Sequence, residues 1–193
     1  MKKRLTWLLS IFYTFTGLFA QQIDSSQRLK FMGKSMNCSM SAMATHLQIK
    51  GYKIEDTEKD IILMKGTFQG YLNCYLVLCK EYNILNFCRI VLLDDDFDES
   101  WENLEFVYND IVYKYTQKYG APQISESNFT GNLLYSNYEK LDLVKNNKCN
   151  YYCIFFIEGG TITVHIDSSQ SIFITYRDSI STNKIEKMRQ NEL

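Results

Sequence analysis

Apolar side chains recur along this chain in two rhythms. From Met36 the positions Met36, Met40, Met43 and Leu47 repeat at helical spacing, with Asn37 or Ser39 available as an N-cap and Gly51 as a stop. A second helical stripe runs through Trp101, Leu104, Tyr108, Ile111 and Tyr115, and Gly120 and Pro122 close it. Between and after these stripes the spacing shortens to that of strands. Ile61–Met64 opens the first set, Gly66 and Gly70 bracket Thr67–Gln69, and Tyr71–Cys79 and Ile84–Leu93 flank a turn at Lys80–Asn83. Tyr151–Ile157, Thr161–Ile166 and Ser171–Tyr176 form the second set, the first two joined at Gly159-Gly160. Ile162, Val164 and Ile166 share a parity, as do Ile172, Ile174 and Tyr176, so one face of these last strands is expected to be buried.

The order helix, three strands, helix, three strands predicts an α+β fold, an antiparallel sheet with helices packed on one face. Both helices end alike, at Lys50-Gly51-Tyr52 and Lys118-Tyr119-Gly120, which suggests two tandem α-βββ halves over residues 29–95 and 96–178. The alternative is a non-repetitive α+β sheet with the same element count. The polar segment Gln123–Tyr138 reads as a solvated connection between the halves, or as a binding loop through Ser125, Ser127, Asn128, Asn132 and Tyr135. The charged tail from Thr182 to Leu193 reads as a short terminal helix.

Composition adds an address. Lys2-Lys3-Arg4, the apolar run Leu5–Phe19 and Ala20 before Gln21-Gln22 have the layout of a secretory signal peptide over residues 1–20. Thr6, Ser10 and Thr14 interrupt a run shorter than the ~20 residues a bilayer span needs. Residues 21–193 are therefore expected to form one periplasmic or secreted soluble domain with no stable membrane anchor. The leader carries three positive charges and no negative ones, so the net −1 of the whole chain becomes −4 after its removal. That balance argues against nucleic acid and anionic membrane as partners.

Export makes the six cysteines candidates for pairing. Cys74 and Cys88 stand on the parity of Leu76, Leu78, Ile90 and Leu92 in neighbouring strands and are the candidate disulfide, with the register deciding. Cys149 and Cys153 would lie ~13 Å apart on an extended strand, beyond the ~7 Å reach of a bridge. The competing reading makes all six apolar fillers.

No constellation in the sequence assigns a catalytic residue, a cofactor site or a metal site. Asp94, Asp96, Asp98 and Glu105 match four ligand positions of a calcium loop, but Glu99 replaces its turn glycine and the helix stripe begins at Trp101. The plainer reading is an acidic helix N-terminus capped by Asp98 or Ser100. His46 stands about two helical turns from Cys38, and His165 falls on the polar parity of Thr161 and Thr163, which reads as surface.

At Leu29-Lys30-Phe31-Met32-Gly33 the chain resembles small exported proteins of Bacteroides-type gut bacteria. The likeness continues through Lys65-Gly66-Thr67-Phe68-Gln69-Gly70-Tyr71, Asn73-Cys74 and Lys118-Tyr119-Gly120-Ala121-Pro122, and on to Gly160-Thr161-Ile162 and Ile174-Thr175-Tyr176-Arg177-Asp178. These are turns and strand edges, so the resemblance implies location and a compact domain rather than chemistry. Cys38 departs from the pattern, standing where a small turn residue is expected. The α-βββ order is also similar to β-lactamase-inhibitor-like modules, which bind other proteins in the periplasm.

The expectation is an exported, non-enzymatic binding module for a protein or glycan, taken on one sheet face. The competing expectations are an envelope hydrolase with a Cys/His or carboxylate site, and a purely structural envelope component.

Overall fold

The computed structural model describes residues 27–93, 100–129 and 135–192. The leader and the acidic positions Asp94, Asp96 and Asp98 lie outside the described residues. The elements run β1 (Lys30–Phe31), β2 (Lys34–Ser35), α1 (Met40–Ile49), β3 (Lys53–Thr57), β4 (Ile61–Phe68), β5 (Tyr71–Glu81) and β6 (Ile84–Leu92). They continue with α2 (Trp101–Tyr119), β7 (Ile124–Phe129), α3 (Asn137–Lys145), β8 (Cys149–Ile157), β9 (Gly160–Ile166), β10 (Ile172–Asp178) and α4 (Ser179–Gln190).

Strands β3 to β10 form one eight-stranded sheet in the order β3-β4-β5-β6-β10-β9-β8-β7, every neighbouring pair antiparallel. The fold is α+β. It contains two four-stranded meanders, each preceded by a helix, whose last strands β6 and β10 pair at the centre. Each helix is thus followed by four strands rather than the three expected. The additional members, β3 and β7, are the two outer strands. All five residues of β3 are exposed, so it has no buried face to imprint an apolar alternation. β7 falls inside the polar stretch read as a connection, and α3 begins at its end.

Helices α1, α2 and α3 bury their apolar stripes against one sheet face. Met43 and Leu47, Trp101, Leu104 and Ile111, and Val144 belong to one continuous core with the strand residues beneath them. The register carries a fully buried row across that face: Met64, Leu76, Ile90, Ile174, Val164 and Cys153. Burying each aliphatic member contributes about 1.5–3 kcal/mol. Trp101 anchors the second half: its ring meets Phe129 and Tyr151 edge-on at 5.0 and 5.2 Å, and its Nε1 donates to Glu105 at 2.9 Å.

Local chemistry fixes the element ends. Ser39 caps α1 by accepting from the Ala42 amide, so the helix begins at Met40 and Met36 is buried ahead of it. Gln69-Gly70 turns β4 into β5 with φ of 50° and 94°, the left-handed pair a two-residue hairpin needs. Gly66 leaves room for the Tyr52 ring, which a Cβ there would meet at 2.5 Å. Asp178, fully buried, caps α4 through the Ser181 amide and binds the incoming chain through Arg28 (2.7 Å) and the Leu29 amide (3.0 Å).

No described helix is long and apolar enough to cross a membrane.

Candidate functional site

The face of the sheet opposite α1, α2 and α3 carries a second, separate cluster: Ile61, Val77, Phe87, Val91 and Phe173, with Leu63, Tyr75, Cys79 and Leu93 packed around them. All of its strand members come from β4, β5, β6 and β10. The register continues their rows into the other half of the sheet, where the side chains turn polar. One row runs Lys65, Tyr75, Val91, Phe173, His165, Tyr152, Glu126, and the next runs Leu63, Val77, Arg89, Thr175, Thr163, Ile154, Ile124.

At the junction of the two halves cations and rings alternate. The Arg89 guanidinium lies over Phe87 at 4.9 Å and over Phe173 at 5.0 Å, and its Nε donates to Thr175 Oγ1 at 2.9 Å. Arg177 also lies over Phe87, at 5.4 Å, and donates to Asn86. His165 stacks on Phe173 at 5.1 Å with the rings nearly parallel. The side chains therefore follow one another as Arg177, Phe87, Arg89, Phe173, His165.

Burial and like charge set the electrostatics. Desolvation, then the neighbouring Arg177, lowers the Arg89 pKa to about 9. Desolvation and then Arg89 push His165 down to about 3, so its imidazole is neutral at pH 7. Burial raises the Asp167 carboxyl, opposed by hydrogen bonds from Ser169 and Ser171. Cys79 is held up at about 11, chiefly by burial, and is no thiolate at neutral pH.

The structure corrects the reading of His165 and places the other candidates. His165 is half-buried rather than a surface residue, and its Nδ1 is closed off without a hydrogen-bond partner. It lies on the polar parity as expected, but that parity faces Phe173 and Arg89 instead of solvent. His46 is unconnected to Cys38, its Nε2 lying 3.1 Å from the Met32 carbonyl oxygen. Glu105 accepts from Trp101 and from the Tyr151 hydroxyl at 2.7 Å, which commits it to the α2–β8 contact. Ser100 holds the N-cap position of α2 but makes no side-chain cap bond.

Cys74 and Cys88 do lie on the helix-facing parity, but Cys88 pairs with Leu78, four residues along β5 from Cys74. Four extended residues span ~13 Å, and no disulfide joins any of the six cysteines. Cys149 and Cys153 stand on the straight strand β8 at the same separation. Among the described residues no group of three or more His, Cys, Asp or Glu is placed to hold a metal ion.

A cleft of about 40 Å³ opens beside the last turns of α2, lined by Gln69, Lys114, Tyr115, Lys118, Tyr119 and Tyr176. Small-molecule sites occupy ~300–1,000 Å³, so it has room for a few waters. Its chemistry is internal: Lys114 pairs with Asp110 at 2.6 Å, and the Tyr115 and Tyr176 hydroxyls bond each other.

The sequence reading missed Arg89 and Arg177. A signal existed: each is the only charge within an apolar strand segment, Asn86–Leu93 and Ile172–Tyr176 with its following residue. Compared with known protein families, with curated proteins and with solved structures, the chain matches none. The fold and this face define an α+β domain with one helix-covered side and one side of mixed aromatic and cationic character.

Proposed function

We propose that the chain is an exported, non-enzymatic binding module that takes a polypeptide on the sheet face opposite α1, α2 and α3. The observation that carries this reading is the alternating row Arg177, Phe87, Arg89, Phe173, His165. Placing cations within a sheet costs solvation energy, and ring faces hold these guanidiniums in fixed orientations. Phe87, Arg89 and Phe173 are themselves buried, so the array serves recognition by holding the half-buried Arg177, Lys65 and Tyr75 in place, with little side-chain entropy left to lose when a partner covers them. A polypeptide fits better than a glycan, since sugars stack on bare aromatic faces. Here Phe87 is flanked by two guanidiniums and Phe173 by one guanidinium and one imidazole. The leader-like first twenty residues support a periplasmic or secreted setting.

The test compares the parent with a rim variant, Lys65→Glu combined with Tyr75→Ala, both half-buried positions away from the central row. Immobilised protein is challenged with an envelope extract and, separately, with a glycan array. The expected result is capture of a protein by the parent that the rim variant loses while keeping its unfolding midpoint. Capture indifferent to the rim changes, or retention of glycans alone, overturns the reading.

A further inference from the structure

Among the described residues the sheet has two open edges, and one is far better defended than the other. β3 presents three charges in five residues, Lys53, Glu55 and Asp56, and its register breaks at a bulge between Ile54 and Asp56. Charge and bulging are the usual devices that stop an edge strand from pairing further. β7 has neither. Its six residues pair with β8 without a register break, it holds no proline or lysine, and Glu126 is its single charge. Among the described elements none pairs with its outer side.

This edge is also held rigid. At one end the Gln123 amide donates to the Ile154 carbonyl, and Gln123 Oε1 accepts from the Phe156 amide at 2.6 Å. At the other end Phe129 packs against Trp101 and Tyr151 in the core. Between them Glu126 is positioned by a hydrogen bond from the Tyr152 hydroxyl on the neighbouring strand. Ser125 and Ser127 are exposed on one face, while Ile124 and Glu126 are half-buried on the other.

We propose that β7 is a strand-addition edge that takes an extended segment of a partner polypeptide carrying a basic residue opposite Glu126 and an apolar residue opposite Ile124. Main-chain hydrogen bonds would supply the affinity and the alternate side chains the choice of partner. A second copy of this chain is a poorer occupant when centred at the same place, because antiparallel self-pairing there opposes Glu126 to Glu126. Like charges directly opposed weaken a cross-strand pair, and opposite charges strengthen it.

The inference does not depend on the sheet-face reading, and its test separates the two. The probe is a ten-residue alternating Val/Thr peptide with a central lysine, N-methylated at alternate residues so that it offers one pairing edge, together with its central-glutamate counterpart. Amide exchange and chemical shifts are followed on the full chain. Slowed exchange confined to residues 124–129 is expected, with the lysine peptide preferred by about 5-fold, the upper range for one cross-strand charge pair. Glu126→Lys is expected to reverse that preference without unfolding the domain, and Ser127→Pro to abolish binding. The rim variant Lys65→Glu with Tyr75→Ala is expected to leave it unchanged. No protection of β7 at millimolar peptide, an unaltered preference in Glu126→Lys, or a dimer by sedimentation that Ser127→Pro dissolves would overturn the assignment.

Discussion

Ile90 and Val91 are neighbours on β6, both essentially inaccessible, and they point to opposite sides of the sheet. Around Ile90 the cross-strand partners are Leu76 and Ile174, and three helices close the layer above. Around Val91 the partners are Tyr75 and Phe173, with Arg89, Thr175 and His165 one step away. The helix side is mostly apolar, and its buried polar groups, Asp178 and the Tyr115–Tyr176 hydroxyl pair among them, are satisfied within the protein. The opposite side places groups that are expensive to desolvate among rings, where purely apolar residues would stabilise more. Composition at equal burial thus separates a side packed mainly by apolar contacts from a side that carries charge among rings.

The largest expected effect lies on the packed side. Trp101→Ala removes a fully buried ring, its edge contacts with Phe129 and Tyr151, and the donor to Glu105. We expect a loss of about 3–5 kcal/mol in urea unfolding, and a loss under about 1 kcal/mol would break the view of this side as the stability core. Asp178→Ala comes close behind, at about 3 kcal/mol, because it strands Arg28 and leaves the Leu29 and Ser181 amides without their acceptor. Asp178→Asn keeps acceptor capacity without the charge and should recover part of that loss.

On the other side the sign reverses. His165→Phe keeps the stack on Phe173 and deletes a closed-off Nδ1 that has no partner, so we expect stabilisation of about 1–2 kcal/mol at pH 7. The same variant should change the pH profile. The folded-state pKa of about 3 lies below the ordinary histidine value of 6.5, so the unfolded chain binds more protons between them. His165 therefore makes stability fall as pH drops from about 6.5 towards 3, with a slope approaching about 1.4 kcal/mol per pH unit. Asp167, whose pKa is raised, works in the opposite direction as pH falls. Subtracting the His165→Phe curve from that of the parent isolates the histidine contribution. A flat difference would mean that the imidazole is solvated, and the contrast between the faces would weaken with it.

The helix-covered side was the legible one. Stripes at Met40, Met43 and Leu47 and at Trp101 to Tyr115 need a 3.6-residue period only, and β9 and β10 alternate cleanly because one face meets the core. The outer strands β3 and β7 escaped for the converse reason, since an edge strand with little buried surface leaves no alternation in its sequence. The polar face was half legible. The parity of Thr161, Thr163 and His165 was evident, but its neighbours were not. Phe173 follows on the next strand, but Arg89 comes from β6, 76 residues before His165, through a β6–β10 pairing that no local pattern encodes. The same register decided Cys74 and Cys88: shared parity put them on one face, and only the pairing of Cys88 with Leu78 revealed how far apart they stand.

The smallest expected effect tests that register directly. A bridge between Cys74 and Cys88 would close a loop of about fifteen residues, worth about 3 kcal/mol. Its reduction would then lower the unfolding midpoint by several degrees. With Cys74 packed beside the Tyr71 carbonyl at 3.2 Å and Cys88 wholly enclosed beneath the helices, no such bond is available without breaking the β5–β6 ladder. Thermal unfolding with and without dithiothreitol should therefore coincide, and alkylation of the denatured, unreduced chain should add a label at all six cysteines. A midpoint that falls on reduction, with two cysteines protected from label, would require β5 to slide by four residues against β6. That slide would move Leu76 off Ile90 and Tyr75 off Val91 together, so one measurement on a pair of thiols checks the register on which both faces depend.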